Sequence, residues 1–335
     1  MEIKSLTINP SYTFLMFGES GNPWTISIPS GAVTANKTIL QNSHATGGAL
    51  FLAPLDNGNF DGGGNTGWIF SPMTGFSAGS GINAYPLILA ENIFLLGDPT
   101  ATDTETGYDV ANIVDYRTHN FWKGASAGTK YITIDCLTAV TADALGIVGH
   151  NLYTADADIS VESSPDNSTW TERLAAFAPA SDKALMKTFT IASARYWRIK
   201  IVTASVAARI AVIFLGNRFE FPRYITGSFD PYPEEISAVT ARSKTGNLLG
   251  SILDVIMCKI SVQFTKMTES WVNNTFRPLW DTYLSQLQPF FWAWDVVNHP
   301  TEVYYGKIPD DFTLSTPYDP WRRTVTLKIE TVKEQ

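Results

Sequence analysis

From Tyr131 to Leu215 the chain alternates apolar and polar side chains, and this period-two pattern limits the fold more than any other feature of the sequence. Tyr131-Ile132-Thr133-Ile134-Asp135-Cys136-Leu137 and Asp158-Ile159-Ser160-Val161-Glu162-Ser163 alternate, and Ala144-Leu145-Gly146-Ile147-Val148 is a short apolar run. Ser164-Pro165-Asp166-Asn167-Ser168 is turn chemistry leading into Thr169-Trp170-Thr171, and Lys187–Ile191, Tyr196–Val202 and Arg209–Leu215 read as further strands. No stretch here sustains the apolar spacing of three and four that a helix requires. Alternation with one buried face is the mark of an antiparallel sheet, and strands at this spacing predict an all-β sandwich over residues 82–217.

At 335 residues the chain is long enough for two domains, or one plus a sizeable module. The 44% apolar content supplies packed cores and excludes general disorder, while 17% charged is well under the roughly 25% of a typical soluble chain. A net charge of −8 with no basic patch argues against nucleic acid and against an anionic bilayer. Ten Trp and 13% aromatics suit packed strands, sugar platforms and subunit interfaces alike. Cys136 and Cys258 sit in apolar runs without zinc spacing and are expected as buried free thiols. Met1–Ser5 carry no basic segment followed by an apolar core, so no signal peptide is expected. Asn83, Glu91 and Asn92 break one apolar stretch and Arg209 another, so no membrane insertion is expected.

Outside the sandwich the signals differ. Residues 1–81 read as a small N-terminal β element, with short strands at Tyr12–Phe17 and Trp24–Ile28, followed by a run with eight glycines between Asp56 and Gly81. So much glycine carries a heavy backbone-entropy cost. That run is expected either as a surface loop or as an arm ordered by a neighbouring subunit. Residues 218–335 predict an α+β domain. Trp271, Phe276, Leu279, Trp280, Tyr283, Leu284 and Leu287 follow helical spacing after a capping Thr268, and Pro278 predicts a break or kink. Strands are expected at Ile256–Phe264, Pro289–Asp295, Thr301–Ile308 and Thr324–Val332.

Four pieces of the middle section, in this order and spacing, carry a family likeness: Ala111–Thr118 with Phe121-Trp122, Tyr131–Ile134, Ser163–Trp170 and Ala194–Ile199. Together they resemble the discoidin-like or galactose-binding-like β-sandwich. The resemblance implies a jelly roll of about eight strands whose end loops hold a sugar, a lipid head or a protein partner, and it implies no catalysis. It also points to a structural calcium site using Asp115 and Thr118, but the acidic residue expected on the last strand is replaced by Ala211 or Val212. No cofactor is therefore expected, with calcium a minor alternative. For a carbohydrate, the candidate contacts are Arg117, His119 and Asn120 in one loop and Asn151 and Tyr153 in another; turn and strand-end packing is the competing role for each. Trp122 and Trp197 are expected in the core, and Trp280, Trp292 and Trp294 in core or interface.

Phe219–Arg223, Ser243–Gly246, Thr275–Trp280 and Pro289–Asp295 carry a second likeness. It is to the C-terminal part of tail and baseplate proteins of long-tailed bacteriophages, in which a discoidin-like module precedes such a region. This resemblance implies a structural protein of the virion tail tip or baseplate, assembled in the host cytoplasm. Its partners would be identical subunits in a ring and other tail proteins, and the sandwich would project toward the host surface. The alternative is a carbohydrate-binding protein of the cell envelope, or an adhesin.

Enzymatic markers are missing. The four histidines are scattered, no HExxH or Gly-x-Ser-x-Gly occurs, and Gly62-Gly63-Gly64 lacks the Lys-Ser/Thr of a phosphate loop. A glycosidase would need two carboxylates held across a cleft, and Asp310-Asp311 and Glu234-Glu235 read as solvated surface instead. The chain is expected not to be an enzyme.

Overall fold

The computed structural model describes residues 14–17, 24–27, 32–34, 38–47, 50–52, 60–61, 65–66, 68–69, 85–319 and 322–332. The chain divides into two compact units, Met1–Gly81 and Ile82–Gln335.

In the first unit eight short strands are described: β1 (Phe14–Phe17), β2 (Trp24–Ser27), β3 (Ala32–Thr34), β4 (Thr38–Gln41), β5 (Ser43–Thr46), β6 (Leu50–Leu52), β7 (Phe60–Asp61) and β8 (Trp68–Ile69). Every pairing is parallel: β1 with β4 and β4 with β7, β2 with β5, β3 with β6 and β6 with β8. A chain that returns to pair a strand with the third one after it, or in the case of β6 and β8 the second, is wound as coils, in the manner of a parallel β-solenoid. Ile26, Leu40, Ala45 and Phe51 are buried inside these coils. Asn65 ties the third coil to the second: its carbonyl oxygen accepts the Ser43 amide at 3.0 Å, and its amide donates to the Leu40 carbonyl at 2.8 Å. Part of the glycine-rich run is thus regular structure, since β7 and β8 lie within it. Its residues 56–59, 62–64, 67 and 70–81 fall outside the described ones, as do the first two of the Tyr12–Phe17 strand, whose other four form β1.

The second unit holds the sandwich. After β9 (Leu87–Leu89), which joins another sheet, the sandwich strands are β10 (Thr100–Ala101), β11 (Trp122–Lys123), β12 (Gly128–His150), β13 (Asp158–Ser164), β14 (Thr171–Phe177), β15 (Leu185–Thr203) and β16 (Arg209–Gly216). The long strands β12 and β15 serve both layers. Gly128–Asp135 pairs with Tyr196–Thr203, which continues to β13 and β14, while Val140–Ile147 pairs with Leu185–Ala194 and also with β16. The layer change falls at the irregularity between Asp135 and Val140. There Leu137 takes φ 63° and donates its N–H to Asp135 Oδ1 at 2.8 Å, and Arg195 grips both Asp135 oxygens at 2.7 Å. That bidentate bond, ahead of all other effects, pulls the Asp135 pKa down to about 2. Ile132, Ile134, Ile159, Val161, Trp197, Ile199 and Ile201 of one layer meet Leu145, Ile147, Ile210, Ile213 and Leu215 of the other in a single core. Trp122 and Trp197 are fully buried in it, as expected. Arg198 lies between the rings of Tyr131 and Trp170, 4.1 and 3.9 Å from their centroids, and pairs with Glu162.

The remaining strands are β17 (Phe219–Glu220), β18 (Glu234–Arg242), β19 (Leu248–Met267), β20 (Phe290–Ala293), β21 (Val303–Gly306), β22 (Tyr318–Asp319) and β23 (Arg322–Val332). They form two four-stranded sheets, β17-β9-β20-β21 and β18-β19-β23-β22. The first recruits β9 from the N-terminal side of the 217/218 boundary drawn in the sequence. Between β19 and β20 a helical run covers these sheets: α1 (Glu269–Trp271), a π turn (Val272–Phe276) and α2 (Arg277–Thr282). Thr268 caps it, its hydroxyl accepting the Trp271 amide at 3.2 Å. Pro278 does not end the run. It sits in the first turn of α2, and the widened π turn before it accommodates the N–H that proline lacks. Val272 and Phe276 are buried against Phe221, Phe264 and Trp292. Cys136 and Cys258 are buried and not joined in a disulfide, as expected.

The sandwich and this second pair of sheets share a third core. Ala144, Val148, Val212 and Phe214, from the outer face of β12 and β16, pack against Leu87, Leu89, Phe291 and Val303. That explains why Ala144–Val148 does not alternate: both of its faces are covered. Gly146 marks the closest approach, because a Cβ there would lie 2.7 Å from the Phe291 ring. The Gly146→Ala substitution is expected to destabilise the chain by about 1–3 kcal/mol through this overpacking. A lowered urea midpoint at unchanged m-value would register it, and an unchanged midpoint would contradict the packing described.

Candidate functional site

One end of the sandwich is built from four connections: residues 115–121 before β11, 151–157 between β12 and β13, 178–184 between β14 and β15, and 204–208 between β15 and β16. Asp182 ties the third of these to the second. Its Oδ1 accepts the amides of Tyr153 and Thr154 at 2.8 and 3.2 Å, and its Oδ2 accepts the Thr154 hydroxyl. Partial burial works to raise the Asp182 pKa, but these donors outweigh it and hold the carboxyl below its ordinary value.

Behind Asp182 lies His150, buried at the end of β12. Its Nδ1 accepts the Leu152 amide at 3.2 Å, and its Nε2 lies 2.9 Å from the Lys183 carbonyl. An acceptor at one nitrogen and a donor at the other define a neutral ring protonated on Nε2. The 3.8 Å approach of Nδ1 to Asp182 is therefore not an ion pair.

Two clefts open at this end and share Asp182. The first, about 570 Å³, is lined by Asn151, Thr154, Asp182, Ser205–Ala207, Lys123 and Arg209. Arg209 holds its guanidinium 5.3 Å from the centroid of Phe121, which stacks on Tyr108 at 4.9 Å. Arg209 joins none of the ion pairs among the described residues, whereas Lys123 is paired with Glu105 at 2.5 Å. The second cleft, about 640 Å³, runs from Asp115–Thr118 past Asp182 to Tyr305, Lys307 and Glu330. Tyr305 closes its floor, its hydroxyl donating to the Tyr116 carbonyl at 3.2 Å.

The residues singled out from sequence gather at this end but take different roles. Tyr153 is 58% exposed beside Asp182 and presents its ring to solvent. Arg117 is exposed and lines the second cleft, and His119 is exposed on the same loop, outside the residues lining either cleft. Asn120 and Asn151 are tied into the fold. Asn120 donates its amide to Asn112 and Asp115 at 2.9 and 2.6 Å, while Asn151 donates to the Ala207 carbonyl at 3.1 Å and accepts the Arg209 amide at 2.8 Å. Asp115 spends one oxygen on the Arg117 amide and the other on Asn120, and Thr118 is exposed. A hard cation wants six to eight oxygens. Among the described residues no three His, Cys, Asp or Glu side chains are grouped closely enough to hold a metal. Asp115 is an anchor of its own loop.

Sequence reasoning missed Asp182, Thr154, Ser205 and Arg209. The available signal was the turn chemistry at Ser181-Asp182-Lys183, which marks a loop but not its neighbours.

No protein-family model and no curated protein matches the sequence. Solved structures do. Chitosan-binding module 1 of a chitosanase/glucanase from Paenibacillus sp. IK-5 is 16% identical, over 37% of this chain and 98% of that one, with a TM-score of 0.33. The CBM32 of AlyQ in complex with 4,5-unsaturated mannuronic acid is 22% identical over 35% of this chain and 92% of that one, TM-score 0.31. A Streptococcus pneumoniae fucose binding module is 14% identical over 37% and 94%, TM-score 0.32. These neighbours are carbohydrate-binding modules. The fold of the present chain is read from its own strand pairing, and its site from the residues just described.

The buried neutral His150 makes this end sensitive to acid. Burial lowers its pKa below the ordinary 6.5, against the smaller opposing pull of the Lys183 carbonyl and Asp182. Just below pH 6.5 the unfolded chain therefore binds more protons than the folded one, so stability present above that pH is lost as the pH falls. Thermal melts should show the melting temperature dropping as the pH falls below 6.5, and His150→Gln should flatten that drop. Equal slopes in the two proteins would show that His150 is not the group responsible.

Proposed function

We propose that the chain is a non-catalytic carbohydrate-binding protein of the adhesin type, taking its ligand at the Asp182 end of the sandwich. The observation carrying this reading is the arrangement of that end: an open cleft lined by a carboxylate of fixed orientation, Asp182, and by Arg209, which joins no ion pair among the described residues, with the exposed Tyr153 ring beside it. Sugars present hydroxyl pairs and patches of C–H surface. Planar charged groups take the hydroxyls through strong hydrogen bonds, and an aromatic face covers the patch. The pinned loops reduce the ordering cost of binding. The two clefts meeting on one carboxylate would suit a ligand longer than one sugar ring.

A second reading, a structural subunit of a long-tailed bacteriophage tail tip or baseplate resident in the virion, is favoured by a different observation. The hairpin formed by β18 and β19 stands clear of the rest of the second unit with large aliphatic side chains in solvent. In that setting the sugar-binding end would touch the host surface while the region after residue 218 met other tail proteins.

A glycan array followed by calorimetry tests the first reading. Saturable binding to at least one glycan is expected, weakened about tenfold or more by Arg209→Ala and by Tyr153→Ala, the loss of roughly one charged hydrogen bond or one stacking contact. His119→Ala should have a smaller effect, because His119 lines neither cleft and, unlike Tyr153, does not adjoin the Thr154–Asp182 contact at the edge of the first. An array without a single hit would remove the proposal.

A further inference from the structure

The β18–β19 hairpin is unlike any other part of the second unit. All nine residues of β18 are exposed, and so are Leu248–Asp254 of β19. Ile236, Val239, Leu248, Leu249, Ile252 and Leu253 are 56–74% exposed. Val239 lies opposite Ile252, and Leu253 opposite Ala238 at the neighbouring rung, so both faces of the ribbon carry aliphatic groups. The hairpin is nonetheless well formed. Its tip is closed by Ser243, whose N–H donates to the Asn247 carbonyl and whose carbonyl accepts the Gly246 N–H, both at 2.9 Å, with Gly246 at φ 88°.

The ribbon also has two bare edges. β18 is the last strand of its sheet. On the other side, β23 pairs with β19 only from Met257 onward, so among the described residues Leu248–Ile256 have no partner on that edge. A two-stranded ribbon alone in water is marginally stable, and long apolar edges are templates for further pairing.

We propose that this ribbon is an arm for self-association, with β18 of one copy adding antiparallel to the free edge of β19 in the next. The two edges match in length, nine residues of β18 against the nine from Leu248 to Ile256. Each ribbon offers one edge of each kind, so a copy of the same ribbon on either side satisfies both, and head-to-tail repetition leaves none open once it closes on itself. The aliphatic side chains stand on both faces of the ribbon, so a copy paired along either edge sets its own aliphatic row beside them as cross-strand neighbours. Glu234, Glu235 and Asp254 stand toward the base of the ribbon and Arg242 and Lys244 at its tip, so the stretch Ser237–Ala241 against Leu249–Leu253 carries no charged side chain to oppose pairing. This inference deepens the assembly reading by naming the partner, and it is independent of the sugar site.

Light scattering on the purified full chain gives the test. The wild type is expected at a multiple of its 36.9 kDa chain mass. The Val239→Lys/Ile252→Lys double variant, altered only at exposed positions, is expected at one chain mass with an unchanged circular dichroism spectrum. Hydrogen exchange on the wild type gives a reading that needs no variant: the β18 amides should become protected as concentration rises. A wild type that stays at one chain mass at its highest soluble concentration overturns the proposal, and so does an oligomer that the double variant leaves intact. Binding of the monomeric wild type to lipid vesicles would reassign the ribbon to a membrane and likewise overturn it. Self-association by a chain absent from virions would sink the tail reading and leave this one standing, while the monomeric variant should keep its glycan affinity per site and lose only avidity.

Discussion

The double-faced burial of β12 and β16 is the constraint on which the second unit depends. One face of these strands closes the sandwich through Leu145, Ile147, Ile213 and Leu215, and the other meets Phe291, Leu89 and Leu87 of a different sheet. A strand buried on both sides cannot shift by one residue without exchanging two sets of neighbours. Gly146 fits this place because only a residue without a side chain lets the Phe291 ring lie against the strand. The sandwich is therefore one wall of a larger structure, fixed in register by what packs behind it.

That rigidity reaches the candidate site directly. β12 ends at His150, and the loop that follows it carries Tyr153 and Thr154, while β15 and β16 deliver Ser205–Arg209. His150 joins the two sides through the Leu152 amide and the Lys183 carbonyl, so the loops around Asp182 hang from the sheet rather than floating above it. Binding residues on loops held by a stiff scaffold give up little conformational freedom when a ligand arrives. The far corner of β12 is braced in the same way by Arg195 and Asp135.

Much of this was legible in the residue pattern. Alternation at Tyr131–Leu137 and Asp158–Ser163 gave the half-buried strands, Thr268 marked the start of the helix, and the buried positions of Trp122 and Trp197 followed from their places in strands. The small β element at residues 1–81 was legible only as β. Its parallel coils were not, because strands of two to four residues with long connections leave no local sign of which strand is the neighbour. The candidate site was half legible. Exposed polar loops at 117–120 and 151–153 could be named, but not that Asn120 and Asn151 would spend their amides inside the fold, nor that Asp182 and Arg209 would meet the 151–154 loop across 28 to 58 residues of chain.

What the sequence determined by itself is the class of structure: period-two alternation, turn residues and the shortage of formal charge force β-rich layers with aromatic cores, since these are properties of neighbouring residues along one strand. What only the tertiary structure decided is which faces meet. The covering of Ala144–Val148 on both sides, the gathering of four loops around Asp182 and the bare edges of the β18–β19 ribbon all depend on pairings between residues far apart in the chain. Those pairings are fixed by the burial gained over the whole assembly of sheets, and no local window of sequence contains that sum.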